Sequence, residues 1–150
     1  MLHDAVGESG RVIGGDLTPG MLEQARRKIE KNGWSNVELV NSDAAQYEFP
    51  EKVEGIISTF AFTLVPEYDA LVQKSARVLS PGGRFVLLDF KRPEGWPLWL
   101  VKLFVFLTSP FGVSLDLEDR HPWESVERYF ERTGFRDLYF GAIYICTGSS

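Results

Sequence analysis

Asp16 and Asp43 are the residues of this 150-residue chain whose type and setting first suggest chemistry. Asp16 closes the run Arg11-Val12-Ile13-Gly14-Gly15-Asp16, which is short, apolar and glycine-ended, as a strand buried on both faces should be. Nucleoside-binding chains often place a carboxylate at such a strand end to hold ribose hydroxyls. An ionised carboxylate suits that task because it only accepts, and each of its two oxygens can take one hydroxyl. Asp43 lies in "NSDA", where a second strand runs into a polar turn. Asp also favours turns through its own side chain, so a purely local role for Asp43 stays open. Two other reactive residue types read as structural. His121, beside Pro122 and Trp123, either caps a helix or serves as a base towards substrate, and capping is the simpler reading. Cys146 sits in a terminal strand with no histidine near it in sequence, and reads as a small apolar residue.

These residues need elements to position them. Thr18 is a good N-cap with Pro19 at the first helical position, and Met21, Leu22, Ala25 and Ile29 follow at helical spacing up to the Asn32-Gly33 stop. "NVELVNSD" (36–43) and "VEGIISTF" (53–60) read as strands. A helix is predicted from about Pro66 to Leu79, with Leu71, Val72, Ala76 and Leu79 on one face. Ser80-Pro81-Gly82-Gly83 then breaks the chain before the strand "RFVLLDF" (84–90). The last helix is predicted over 123–133, with Val126, Tyr129 and Phe130 inward and Gly134 as its cap. "FRDLYFGAIYICTG" follows as two short strands joined tightly. Strands alternating with helices imply βαβ units and a mostly parallel sheet.

Composition narrows the function. A net charge of −5 argues against nucleic acid as the main partner. One cysteine allows no internal disulfide and fits a reducing, cytoplasmic setting. The opening "MLHDAVGESG" lacks the basic and apolar regions of a secretion signal. The length suits one domain, residues 1–150.

Taken in order, "VIGGD", "LTPGMLEQAR", "NSDA", "GIISTFAFTLVPE" and "ARVLSPGGRFVLLDF" resemble the class I S-adenosylmethionine-dependent methyltransferases. The nearest branch is that of the quinone-biosynthesis C-methyltransferases and phospholipid N-methyltransferases. The resemblance runs over roughly residues 2–148, and it rests on the joint order and spacing rather than on any one motif. It implies an α/β, Rossmann-like, doubly wound sheet, mostly parallel with an antiparallel last strand, and S-adenosylmethionine lying across the carboxyl ends of the strands. Carried over, it implies that Asp16 takes both ribose hydroxyls and that Leu17 and Met21 pack on the adenine or ribose. Asp43 would accept from the adenine amino group, the Ala44 N–H would reach a ring nitrogen, and Thr59 would lie near the methionyl end and the substrate. No catalytic residue and no metal site are assigned.

The family's first strand and its glycine-rich turn, of the form D-x-G-x-G-x-G, do not occur in this sequence. "MLHDAVGESG" resembles instead the end of the helix that follows that turn, so the domain is expected to be N-terminally incomplete. The glycine turn lets backbone approach the methionine part of the cofactor. The absent strand would carry four or five buried aliphatics at about 1.5–3 kcal/mol each. That approaches the whole stability of a typical domain, about 5–15 kcal/mol.

Trp96 to Val113 is strongly apolar but interrupted by Lys102 and broken at Pro110, so it does not read as a membrane span. It reads as a helix roofing the substrate cavity, or as an interfacial helix making peripheral membrane contact with Trp96, Trp99, Lys91, Arg92 and Lys102 at the headgroup boundary. In the family branch it resembles, this region covers a lipophilic acceptor, so the resemblance implies a hydrophobic small-molecule or lipid-like acceptor under either reading. The first functional expectation is therefore a methyltransferase. A methyltransferase-like binding or regulatory module without turnover is the second, and a nicotinamide-dependent enzyme the third. For residues 1–150 alone, lost burial and open strand edges predict a poorly soluble, molten or associated chain that binds S-adenosylmethionine weakly or not at all. Thermal unfolding with and without millimolar S-adenosylmethionine checks this expectation: a sharp monomeric transition raised by the cofactor would overturn it.

Overall fold

The computed structural model describes residues 2–91, Trp96, Pro97, Trp99, Leu103, Phe106 and residues 120–150. The chain divides into two compact units, residues 1–48 and 49–150.

In the first unit, a short helix α1 (Leu2–Val6) precedes β1 (Val12–Asp16), α2 (Pro19–Asn32) and β2 (Val37–Asn41). The helix α2 starts where Pro19 loses nothing by lacking an N–H, and it ends at Gly33, whose φ of 66° only glycine adopts freely. The Gly33 and Trp34 N–H groups return to the carbonyls of Glu30 and Ile29, closing off the last turn. Leu22 is buried, and Ala25 and Ile29 share its half-buried face. β1 and β2 pair in parallel from Val12↔Val37 to Asp16↔Asn41, so both strands end together. Asn36 braces the entry to this pair, donating from Nδ2 to the carbonyls of Gly7 (2.9 Å) and Gly10 (2.7 Å).

The second unit contains β3 (Val53–Thr59), α3 (Tyr68–Val78), β4 (Leu79–Phe90), α4 (Pro122–Tyr129), β5 (Arg132–Leu138) and β6 (Ile143–Ser149). Its sheet runs β3-β4-β6-β5, with β3 parallel to β4 and the two C-terminal strands antiparallel. The parallel pairs and the antiparallel end make an α/β, Rossmann-like arrangement, as expected. Along β4, Gly83, Phe85, Leu87 and Asp89 are buried while the residues between them are not, which is the two-residue period of a strand with one covered face. Phe85 and Leu87 pack with Leu71 and Val72 of α3, Val126 of α4, Phe130, and Tyr144 and Cys146 of β6. Burial pushes the Cys146 thiol up to about 11, and a protonated, buried thiol is inert.

Two boundaries differ from expectation. β4 begins at Leu79 and carries Ser80-Pro81-Gly82-Gly83 inside the strand, with its pairing to β3 shifting register between Val53↔Leu79 and Gly55↔Arg84. The extra residues form a bulge, which glycine accommodates at Gly82 (φ 78°). α4 ends at Tyr129 rather than near 133, and Gly134 is not its cap but lies within β5 opposite Thr147. Pairing with β6 outweighs helix continuation there. Of the apolar stretch 96–113, most lies outside the described residues. Trp99, Leu103 and Phe106 are helical and exposed. Among the described residues no helix is long and apolar enough to cross a membrane.

α3 and α4 are locked by Asp69. Its carboxylate accepts from Ser125 Oγ (2.6 Å), Tyr129 Oη (2.9 Å) and Arg128 Nη1 (3.0 Å). The Ser125 and Tyr129 hydrogen bonds, with the Arg128 charge, hold this carboxyl below its ordinary 3.8. A lowered native pKa means that the lock is fully present above the ordinary value and is lost as pH falls through the native one. Asp69→Asn is therefore expected to lower stability at neutral pH, and chemical denaturation should show the gap to wild type closing below about pH 4. A second expectation concerns packing. A Cβ on Gly148 would meet the Phe130 ring at 2.5 Å, whereas one on Gly20 would meet nothing within 4 Å. Gly148→Ala should cost about 1–3 kcal/mol by urea titration. Gly20→Ala should be neutral or stabilising by about 0.4–1 kcal/mol.

Candidate active site

In the first unit, the carboxyl ends of the parallel strands gather polar atoms. Asp16, half-buried at the end of β1, accepts the Thr18 N–H on Oδ1 at 2.7 Å. Thr18 occupies the N-cap position of α2 but makes no capping bond from its own side chain. Asp16 thus orients the backbone entering α2, and in doing so its own carboxylate is fixed. Oδ2 has no partner among the described residues. Asn41, opposite Asp16 in register, donates from Nδ2 to the carbonyls of Asp16 (2.9 Å) and Leu17 (3.0 Å), tying the two strand ends together. That bracing role is absent from the sequence reading, although an asparagine ending an apolar strand is a visible signal.

Asp43 forms the turn its residue type allows, with Oδ1 accepting the Ala45 N–H at 2.9 Å. The Gln46 and Tyr47 N–H groups return to its carbonyl. The local role is therefore real, and it holds the half-buried side chain in one orientation at the end of β2 while Ala44 stays exposed. Leu17 (69% exposed) and Met21 (53%) are apolar side chains left uncovered beside Asp16 in sequence. Met21 is therefore not core. Asp16, Leu17, Met21, Asp43 and Ala44 all lie in this first unit.

Thr59 belongs to the second unit, exposed at the last position of β3. The turn after it is tightly held. Phe60 adopts a left-handed φ of 55°, its N–H donates to the Leu88 carbonyl at 2.8 Å, and its ring stands 4.5 Å from that of Phe90. Thr63 is gripped on both sides: its N–H donates to Asp89 Oδ2 (2.9 Å) and its carbonyl accepts from Arg120 Nη1 (2.8 Å). Asp89 is 1% exposed, and its Oδ1 takes the Phe90 N–H at 2.8 Å. Burial pushes this carboxyl above the usual carboxylate range, and the backbone N–H groups of Thr63 and Phe90 oppose the rise. Tyr144, its cross-strand neighbour, is fully buried, and burial drives its phenol far up as well. Asp89 does not stand out as a site residue within "RFVLLDF", although an acid inside an apolar strand is a visible signal. Nothing in the sequence points to Arg120.

His121 occupies the N-cap position of α4 without a capping bond. Its Nδ1 lies 3.1 Å from Glu124 Oε1, and its ring packs 4.7 Å from Trp123.

Parallel strands ending in acceptor side chains beside uncovered apolar ones form the ligand end of an α/β fold. The description "ubiE/COQ5 methyltransferase family" matches residues 1–140. The chain belongs to that family. It is similar to a demethylmenaquinone methyltransferase of Bacillus licheniformis, 33% identical over 114 residues, a match covering 74% of this chain and 48% of that one. A second demethylmenaquinone methyltransferase, from Lactococcus lactis subsp. lactis, is 30% identical over 150 residues, covering 89% and 59%. The chain thus spans about half the length of these ubiE/COQ5 relatives. Among solved structures, the apo form of the S-adenosylmethionine-dependent methyltransferase SibL matches with a TM-score of 0.63 at 22% identity, covering 93% of this chain and 43% of that one. At that identity the match supports the fold.

Proposed function

We propose that this chain binds S-adenosylmethionine and takes part in moving its methyl group to a hydrophobic, quinone-like small molecule. The observation that carries the reading is Asp16: a carboxylate fixed at a parallel strand end by the Thr18 N–H, with Oδ2 uncommitted among the described residues. Each carboxylate oxygen has two lone pairs, so the bond to Thr18 still leaves capacity for two ribose hydroxyls. The rest of the donor and acceptor set fits the nucleoside. Asp43 Oδ2 can accept an exocyclic amino group, the Ala44 N–H can face a ring nitrogen, and the exposed side chains of Leu17 and Met21 can cover an adenine or ribose face.

The bound cofactor supplies an electrophilic methyl on a sulfonium. The chain's part is to hold, align and keep the site dry, which accounts for most of such a reaction and needs no strong base. Within the second unit, the clamp on Thr63 fixes the turn that follows Thr59. The names of the relatives support a quinone-like acceptor. Exposed Trp99, Leu103 and Phe106, spaced four and three residues apart on helical backbone, support contact with a lipid-like acceptor or a membrane surface.

Asp16→Asn is the clean variant, since the amide oxygen keeps the bond to Thr18 while the charge and one acceptor are lost. Under conditions where thermal melts show the wild type folded, titration calorimetry should show S-adenosylmethionine binding, weakened in the variant by about 1–3 kcal/mol. A well-folded wild type that binds no cofactor would sink the proposal. Equal affinities would remove Asp16 from the site.

A further inference from the structure

Lys91 follows β4 directly, at the carboxyl end of the strand, and its side chain is only 12% exposed. Its Nζ lies 3.0 Å from Asp137 Oδ1 and faces two rings, 5.2 Å from the centroid of Phe135 and 5.9 Å from that of Trp123. These rings are fixed in turn by Tyr144, which stacks on Phe135 at 5.6 Å and meets Trp123 edge-on at 5.0 Å. An ammonium has three donors. Among the described residues only Asp137 offers it an oxygen, and that carboxylate is half exposed.

Lys91 and Asp137 line an open cavity of about 320 Å³ together with Phe140 and Gly141. The turn on its rim is unusual. Tyr139, Phe140 and Gly141 all take left-handed φ values, of 49°, 58° and 82°. Two consecutive aromatic residues rarely accept that conformation, and here they are also 72% and 92% exposed. Strain of this kind persists where surrounding structure imposes it, and it concentrates at ligand sites. Backbone pairing imposes it here: the Lys91 N–H donates to the Ala142 carbonyl at 3.1 Å, and the Ala142 N–H returns to the Tyr139 carbonyl. The same backbone pairing thus joins the lysine to the aromatic turn.

We propose that Lys91 and the Tyr139–Gly141 turn form an acceptor subsite that binds the ionised ring oxygen of a planar aromatic molecule. Lys91 receives the oxyanion on its spare donors, and Phe140 covers the ring. Asp137 competes with the ligand for the ammonium and neutralises it in the empty site. The subsite deepens the function proposed above and rests on that reading for its biological role, but its binding chemistry is testable without the cofactor.

The probes are 2-hydroxy-1,4-naphthoquinone, which is ionised at neutral pH, and its neutral 2-methoxy ether. Equilibrium dialysis of the full chain should show the anion bound at least about tenfold more tightly than the ether, the order expected for a charge-assisted hydrogen bond. Lys91→Met should abolish that preference, Lys91→Arg should keep it, and Asp137→Asn should strengthen anion binding severalfold. Thermal melts of each variant show whether it is folded, and Asp137→Asn carries the test if Lys91→Met is not. A wild type without preference, a folded Lys91→Met that retains it, or an Asp137→Asn that binds the anion no better would each overturn the proposal. Failure to bind S-adenosylmethionine would instead strike the methyltransferase reading and leave this preference intact.

Discussion

The second unit depends on the alternation along β4. Phe85, Leu87 and Asp89 all point into the covered face, so the apolar packing that stabilises the sheet also drags a carboxyl into the interior. A buried carboxyl is costly unless its oxygens are used. Both are: the N–H groups of Thr63 and Phe90 take one oxygen each. The position of the turn after β3 is therefore a consequence of core packing. Strand, buried acid and turn form one mechanical unit, and the residue after the strand, Lys91, inherits a fixed place from it.

The first unit works by a different rule. Its strands are only half-buried, and among the described residues Leu22 is its one buried hydrophobic side chain. Its order comes from polar side chains bonding to backbone at the strand ends. Asn36 ties down Gly7 and Gly10, Asn41 ties Asp16 to Leu17, and the carboxylates of Asp16 and Asp43 each order the backbone two residues on. Such bonds are worth about 0.5–1.5 kcal/mol each, more where one partner is charged. Their chief effect is orientation: a side chain already bonded on one oxygen has lost its rotamer freedom before any ligand arrives.

What was legible in the sequence follows the same division. Short-range chemistry read correctly: a strand ending at Asp16, Pro19 opening α2, Gly33 closing it, and the helical face made by Leu71, Val72 and Ala76. Burial of the first strand on both faces did not, since Val12–Asp16 is only half-buried, and Leu79 belongs to β4 rather than to the helix. What depended on pairing partners did not read correctly either. Ser80-Pro81-Gly82-Gly83 carries every local mark of a break, yet β3 draws it into a bulged strand. Gly134 looks like a cap until β6 is placed beside it. Asp43 illustrates a third case, in which two readings of one residue were compatible all along. The turn that Asp43 makes with its own backbone is what would aim its second oxygen.

The Lys91 environment was illegible for a related reason. Lys91, Trp123, Phe135, Asp137 and Phe140 lie up to 49 positions apart in sequence, and no spacing rule connects them. They meet because β6 runs antiparallel to β4 and sets Ile143 opposite Phe90, which brings the β5–β6 turn to the strand's carboxyl end. An antiparallel last strand thus does more than close the sheet. It delivers a turn of exposed aromatic residues to the carboxyl end of β4, and it binds that turn to the backbone of the lysine itself. Backbone strain at Tyr139 and Phe140 costs about 1–3 kcal/mol per residue. Neither side chain recovers that cost by burial, since both stand in solvent. The compensation has to come from the pairing that fixes the turn, which ties the backbone of these two residues to the sheet.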